Sequence, residues 1–231
     1  MKGAFISGTG TGVGKTFVTR GLAAALCSRG DRVAALKPIE TGFVDPERSD
    51  AHALARACGR PELRDAPGFY RAVPPLAPWA ATLEGHPACP PLTTLVRDIT
   101  AAGQGADTVL VEGAGGLFVP LDARHTTADL VQALDLPLVL VASDQLGVLS
   151  HALTAFDCAE RRGLRVLAFV LVAPPDDARD PSVATNRRIL LERLPVPVIS
   201  FPRLRDDDAE LAQATIAGGL SHLVRSVRSR V

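Results

Sequence analysis

The stretch Gly8-Thr9-Gly10-Thr11-Gly12-Val13-Gly14-Lys15-Thr16 constrains this chain more than any other. An apolar run, Ala4-Phe5-Ile6, precedes it, and Phe17-Val18-Thr19-Arg20-Gly21-Leu22-Ala23-Ala24-Ala25-Leu26 follows. That order predicts strand, glycine-rich turn and helix, with Gly-Lys-Thr at the helix start. Such a turn aims several backbone N–H groups and the positive end of a helix dipole at one point, which suits a polyphosphate. Lys15 would reach the β/γ-phosphates, and the Thr16 hydroxyl would bind Mg²⁺. The match to a P-loop is offset: the usual spacing puts its first glycine at position 9, which is Thr9, whereas Gly8 comes one residue early. A glycine turn without a ligand is the competing reading. The strand before, the helix after and the Gly-Lys-Thr ending together favour the nucleotide.

Length and composition narrow the class. The 231 residues could form one large domain or two small ones and can bury a sizeable core without staples. The cysteines, Cys27, Cys58, Cys89 and Cys158, form no C-x-x-C pair, which argues against zinc and a disulfide framework and for a reducing compartment. Cys27, Cys58 and Cys158 fall in helical patterns, where a small buried hydrophobe is the simpler reading. The chain enters a functional strand at once, leaving no room for a signal peptide, and its longest apolar run, Leu136 to Ala142, is too short to span a bilayer. A formal net charge of zero removes the electrostatic case for a nucleic-acid or membrane partner. The expectation is a soluble cytoplasmic protein. Only three lysines, Lys2, Lys15 and Lys37, stand against twenty-two arginines. Lysine kept at two motif positions points to sites that need a compact ammonium charge.

Along the chain, Arg32 to Pro38 reads as a second strand closed by Pro38. Lys37 then stands at the C-terminal end of that strand, where open α/β sheets bind ligands. Ser49-Asp50 opens a helix running to Cys58; Asp50 reads either as its N-cap or as a metal ligand. From Arg60 to Pro91 prolines are dense and aromatic residues interleave, which predicts a structured connection. It serves either a binding site or packing over the sheet edge. Thr93 to Ala102 is helical. Asp107 to Glu112 is a buried strand ending in a carboxylate, followed by the glycine turn Gly113-Ala114-Gly115-Gly116. Glu112 resembles the Walker B acid, whose carboxylate faces the metal. Thr126 to Leu134 is helical and Leu138 to Ala142 a strand. The turn Asp144 to His151 enters a helix running to Arg162, and its N-terminus could capture a carboxylate. His151 there has a structural and a catalytic reading. Arg165 to Val172 is a fifth strand, a helix spans about Asp180 to Leu194, and Val196 to Ser200 is a sixth strand. Pro197 favours an edge for it. A last helix starts near Asp207. The prediction is one α/β domain of P-loop NTPase type, 1–231, with a mostly parallel sheet and helices on both faces.

The P-loop, Lys37-Pro38 with Thr41-Gly42, Ser49-Asp50-Ala51 and Val111-Glu112-Gly113-Ala114-Gly115-Gly116 together resemble dethiobiotin synthetases. So do Leu146-Gly147-Val148-Leu149-Ser150-His151-Ala152, similar to that family's Leu-Gly-x-Ile-Asn-His-Ala, and the Pro75-x-x-Pro78-x-x-Ala81 spacing. The resemblance covers residues 8 to about 152 and weakens beyond. It implies an ATP- and Mg²⁺-dependent cyclo-ligase converting 7,8-diaminopelargonate and CO₂ to dethiobiotin, ADP and phosphate. A carbamate on one amine is phosphorylated and the second amine then closes the ring. By the same resemblance, Lys37 and Lys15 are catalytic and flank the γ-phosphate and the carbamate. Thr16, Asp50 and Glu112 hold the metal. The nucleotide is held by Gly12, Val13, Gly14, Lys15, Thr16, Phe17, Asp50, Glu112, Gly113, Ala114 and Gly115. Thr11 and Thr41 bond the diamine or its carbamate. Leu149, Ser150 and His151, in the turn of a second subunit, take the substrate carboxylate, so a homodimer follows.

Several departures qualify the resemblance. Gly10 and Gly12 stand where the family commonly has acidic residues. Val172-Ala173 replaces an Asn-Asp whose asparagine reads the adenine edge. Base recognition then falls to backbone groups near Phe201, Pro202 and Arg203, or discrimination among nucleotides is weak. Ser150 replaces the family's asparagine. The alternative is a ParA/MinD-type partitioning ATPase, but those carry a second lysine at the place of Gly10. An amidating synthase of the cobyrinate type would need an amidotransferase domain, for which the 231 residues leave no room. Lys37→Ala is expected to fold and dimerise normally and to turn over far more slowly.

Overall fold

The computed structural model describes residues 1–174, 180–204 and 207–225. Its frame is six parallel strands: β1 (Gly3–Gly8), β2 (Val33–Leu36), β5 (Thr108–Gly116), β6 (Leu138–Ser143), β7 (Val166–Val172) and β8 (Val198–Phe201), in the order β2-β5-β1-β6-β7-β8. All five neighbouring pairs are parallel. The central strands are almost wholly buried, every residue of β1 among them. Such strands read as unbroken apolar runs because both faces of the sheet are covered. The sixth strand takes the edge position expected of it but spans Val198–Phe201 in place of Val196 to Ser200, so Pro197 lies just before it.

The helices are α1 (Lys15–Cys27), α2 (Asp50–Ala57), α3 (Pro78–Leu83), α4 (Leu92–Ala102), α5 (Thr127–Leu134), α6 (Val148–Arg161), α7 (Val183–Arg193), α8 (Asp208–Ala217) and α9 (Leu220–Arg225). Helices α1, α2, α8 and α9 form one connected layer, while α4 packs on α5 and α6 on α7. The α1–α8 contact depends on Gly21: a side chain there would run into the Leu211 carbonyl and the Thr215 hydroxyl. Buried Arg20 of α1 adds an ion pair to Asp208, at 2.6 Å, which also meets Arg56 at 3.5 Å. No helix among the described residues is long and apolar enough to cross a membrane. All four cysteines are free thiols.

Two differences from the sequence expectation lie beside the crevice at the end of the sheet. The second strand stops at Leu36, and the chain re-forms as β3 (Ile39–Thr41), which pairs in parallel with β4 (Tyr70–Ala72) in a separate two-stranded sheet. Three-residue strands carry too little period-2 pattern to be legible before their partner is known. The strand ending at Glu112 in the sequence reading continues to Gly116, so Gly113 to Gly116 extend the ladder beside the P-loop, with Gly8 opposite Gly116.

Candidate functional site

The strand order reverses around β1: its chain neighbour β2 lies beyond β5 on one side, and β6 flanks it on the other. Loops leaving such a switch point diverge and open a crevice at the C-terminal edge of the sheet. The glycine-rich loop fills that position. Gly12 and Gly14 adopt φ of 73° and 97°, a left-handed backbone that suits glycine. A Cβ on Gly14 would lie 2.9 Å from the Val172 methyls, so the loop also needs glycine for space. Gly14 is the N-cap of α1, and no side chain caps that helix. Its first N–H groups are thus left for an anion.

Register brings the charged groups together. Leu36 pairs with Val111 across β2 and β5, so the next residues, Lys37 and Glu112, emerge side by side at the sheet edge. Lys37 Nζ donates to Glu112 Oε1 at 2.6 Å, to Asp50 Oδ2 at 2.9 Å and to the Gly113 carbonyl at 3.3 Å. The Thr16 hydroxyl donates to the same Glu112 oxygen at 2.9 Å. Lys15 Nζ donates to the Gly10 carbonyl at 2.9 Å. Burial alone would lower the Lys37 ammonium, but the Glu112 and Asp50 charges reverse this and hold it well above the usual lysine range. Burial likewise opposes ionisation of Asp50, yet Lys37 keeps it below the ordinary carboxylate value. Lys15 lacks such partners, and burial, with the Lys37 charge second, pushes it down to about 8. An incoming triphosphate would raise it again.

These groups line or flank a cavity of about 560 Å³. Of the residues predicted for nucleotide, metal and substrate, Thr11, Gly12, Gly14, Lys15, Thr16, Phe17, Lys37, Thr41, Asp50, Ala114, Gly115 and Arg203 line it. Glu112, fully buried, and the Gly113 carbonyl stand behind Lys37, and Val13 packs at the base of the loop by Gly8. Phe201 and Pro202 instead line a different cavity against α7, and the Phe201 side chain belongs to the core. Val172 is also core, turned onto Gly14. His151 lies on a second groove of about 470 Å³, which reaches Thr11 from the other side of the loop. Ser150 is exposed beside it, and Leu149 packs partly against the core.

Asp50 is not the helix cap. Ser49 caps α2, its hydroxyl accepting from His52 N, and Asp50 is the first helical residue with its carboxylate turned to Lys37. Sequence reasoning missed Arg20, Glu40 and Arg48, which also line the cavity. Arg20 was legible in principle, since it follows Thr16 by one helical turn on the same face. Glu40 had no such signal, because its role depends on how α2 folds back over β3.

Residues 2–209 match the AAA domain family. The ATP-dependent dethiobiotin synthetase BioD of Anaeromyxobacter dehalogenans is 41% identical over 204 residues, 87% of this chain and 91% of that protein. Its counterpart from Caulobacter vibrioides is 43% identical over 216 residues, 90% and 96% of the two chains. The chain belongs to the dethiobiotin synthetase family. Among solved structures, the Pyrococcus furiosus cell division ATPase MinD superposes with a TM-score of 0.51 at 24% identity, covering 97% of this chain and 96% of that one. At that identity the likeness shows the shared P-loop NTPase fold. Outside the loop, Lys37, Asp50 of α2 and Glu112 of β5 come together beside it only in the folded chain.

Proposed function

We propose that this chain is an ATP- and Mg²⁺-dependent dethiobiotin synthetase, joining 7,8-diaminopelargonate and CO₂ with release of ADP and phosphate. The observation that carries the reading is the convergence of Lys15, Thr16, Lys37, Asp50 and Glu112 on one cavity. Relatives of this chain bear that name over nearly their whole length.

The donor set fits Mg²⁺. Glu112 keeps its Oε2 buried and without a hydrogen-bond partner, beside the Thr16 hydroxyl and the half-exposed Asp50 carboxylate. Among the described residues no cluster of three or more His, Cys, Asp or Glu side chains is placed to hold a metal. One or two carboxylates completed by substrate phosphates and water is the arrangement Mg²⁺ prefers. Thr16, Asp50 and Glu112 would hold the ion there, and its positive charge would offset that of the phosphates.

The chain's own residues supply alignment and cationic charge, which is what phosphoryl transfer demands. The loop N–H groups and α1 hold the phosphates. Lys15 leaves the Gly10 carbonyl for the β/γ-phosphates, and Lys37, fixed in the charged state, faces the γ-phosphate and the carbamate. The carbamate oxygen attacks the γ-phosphorus and ADP departs. The second amine then attacks the carbamoyl carbon, phosphate departs with the C–O bond electrons, and the amine proton passes to solvent. Thr11 and Thr41 orient the diamine. Thr11 also lines the groove of its own chain's His151; in a homodimer, the turn at Leu149, Ser150 and His151 of the second subunit would receive the substrate's carboxylate end. The setting is cytoplasmic, without nucleic acid or membrane.

The test is incubation with diaminopelargonate, bicarbonate, Mg²⁺ and ATP, with dethiobiotin read by mass. Steady ATP hydrolysis without substrate and without product would overturn the reading in favour of a MinD-type switch.

A further inference from the structure

The Lys37–Asp50 ion pair is held at both ends by residues that no part of the reaction scheme uses. The first three N–H groups of α2, which have no intrahelical partner, are all taken. Ser49 takes that of His52, and Glu40 takes the other two, Asp50 N to Oε1 at 2.6 Å and Ala51 N to Oε2 at 3.2 Å. Glu40 is 7% exposed, so this is an interior clamp on the backbone that carries the Asp50 carboxylate. At the other end, the Arg71 guanidinium donates to the Lys37 carbonyl at 2.9 Å, and also to the carbonyls of Tyr70 at 3.0 Å and Arg64 at 2.9 Å. It also lies over the rings of Phe43 and Phe69, whose centres are 5.6 and 5.8 Å from the guanidinium carbon. Glu40 and Arg71 are register partners across β3 and β4, with Arg71 Nε 4.0 Å from Glu40 Oε2. The small second sheet therefore closes a ring: Glu40 to Asp50, Asp50 to Lys37, Lys37 to Arg71, Arg71 back to Glu40.

We infer that Glu40 and Arg71 are positioning residues, which set the metal seat and the catalytic ammonium through the backbones of Asp50 and Lys37. The inference rests on the proposed role of Asp50 in holding Mg²⁺. A planar fork bonding three carbonyls explains why position 71 carries arginine in place of lysine. A carboxylate accepting two N–H groups explains Glu40, since an amide there would set a donor against one of them.

The test is a double-mutant cycle on the full chain, with Mn²⁺ binding in the presence of ADP followed by electron paramagnetic resonance. Glu40→Gln is expected to weaken Mn²⁺ binding by about 10–100-fold, the usual effect of losing a group that orients a ligand. ADP affinity without metal should stay within about twofold, a change of under about 0.5 kcal/mol. In the Asp50→Asn background the same change should alter Mn²⁺ affinity by less than about twofold, because its effect runs through the lost carboxylate. Effects that multiply, or a folded Glu40→Gln with wild-type Mn²⁺ affinity, would overturn the positioning role. Wild-type Mn²⁺ affinity in Asp50→Asn alone would overturn the metal seat itself, and the inference with it. Glu40→Asp, which shortens the clamp by one methylene, gives the same reading if the glutamine variant does not fold. Arg71→Lys should lower kcat while leaving the KM for ATP unchanged; an unchanged kcat would remove Arg71 from the ring.

Discussion

Lys37 Nζ lies 2.6 Å from Glu112 Oε1, and the glutamate it neutralises is fully buried. This contact joins the end of β2 to the middle of β5 and makes the ammonium proposed to be catalytic a structural counter-ion as well. Lys37→Ala should slow dethiobiotin formation by about 10²–10³, the usual cost of losing an electrostatic stabiliser. The variant should fold, but less stably than the unperturbed folding expected from sequence. It leaves a buried carboxylate without its partner, a loss of about 3–5 kcal/mol. Thermal melting checks the second effect and product mass the first; wild-type turnover would remove Lys37 from catalysis. Glu112→Gln added to Lys37→Ala should recover part of the melting temperature and none of the turnover.

The P-loop makes a second prediction. Gly14→Ala forces a left-handed φ on a residue with a Cβ and drives that Cβ against Val172. The backbone penalty is about 1–2 kcal/mol, and the clash displaces the loop, so nucleotide affinity should fall. Val172→Ala in the same chain relieves the clash and not the torsion, and should restore affinity only in part. Calorimetric titration with ADP reads both; full recovery would show that the torsion costs nothing here.

The base is the third. Val172 is core and packs on Gly14, so it offers an adenine no hydrogen bond. A site that reads a base by buried hydrogen bonds discriminates by about 10⁴–10⁵. The expectation is that kcat/KM for ATP, GTP and CTP will fall within about tenfold of one another, as contact without such readout allows. A strong preference for ATP would instead assign base reading to backbone groups near Arg203.

Far from the site, Arg32 and Asp107 tie the starts of β2 and β5 together. Asp107 accepts from the Arg32 backbone N–H, Nε and Nη2 at 2.9, 3.2 and 3.0 Å. These bonds, the guanidinium first, push the carboxyl down to about 2. Because the folded value lies below the unfolded one, the pair's stabilising effect is present above about pH 4 and is lost as pH falls through about 2. Carboxyl-carbon NMR titration should find that midpoint, and Arg32→Gln should return it toward about 3.9. An unshifted midpoint in the unmutated chain would show that the pair does not persist in solution.

The sequence by itself determined the layer architecture and the phosphate loop. Unbroken apolar runs such as Leu138 to Ala142 can be buried only in a sheet covered on both faces, and Gly-Lys-Thr at a helix start is a local arrangement of donors. Lys37 could be placed at the end of a strand, because a strand's end is also local; Glu112 could not, because β5 runs on through the glycines to Gly116. Tertiary structure alone decided that Lys37 and Glu112 are neighbours, through the pairing of Leu36 with Val111, and that Glu40 and Arg71 face each other across β3 and β4. It also decided that Ser49 and not Asp50 caps α2, and that Val172 serves the loop's packing. Local patterns report the conformation each segment prefers; which segments meet depends on sheet order and register, and these are fixed only when the whole core is buried.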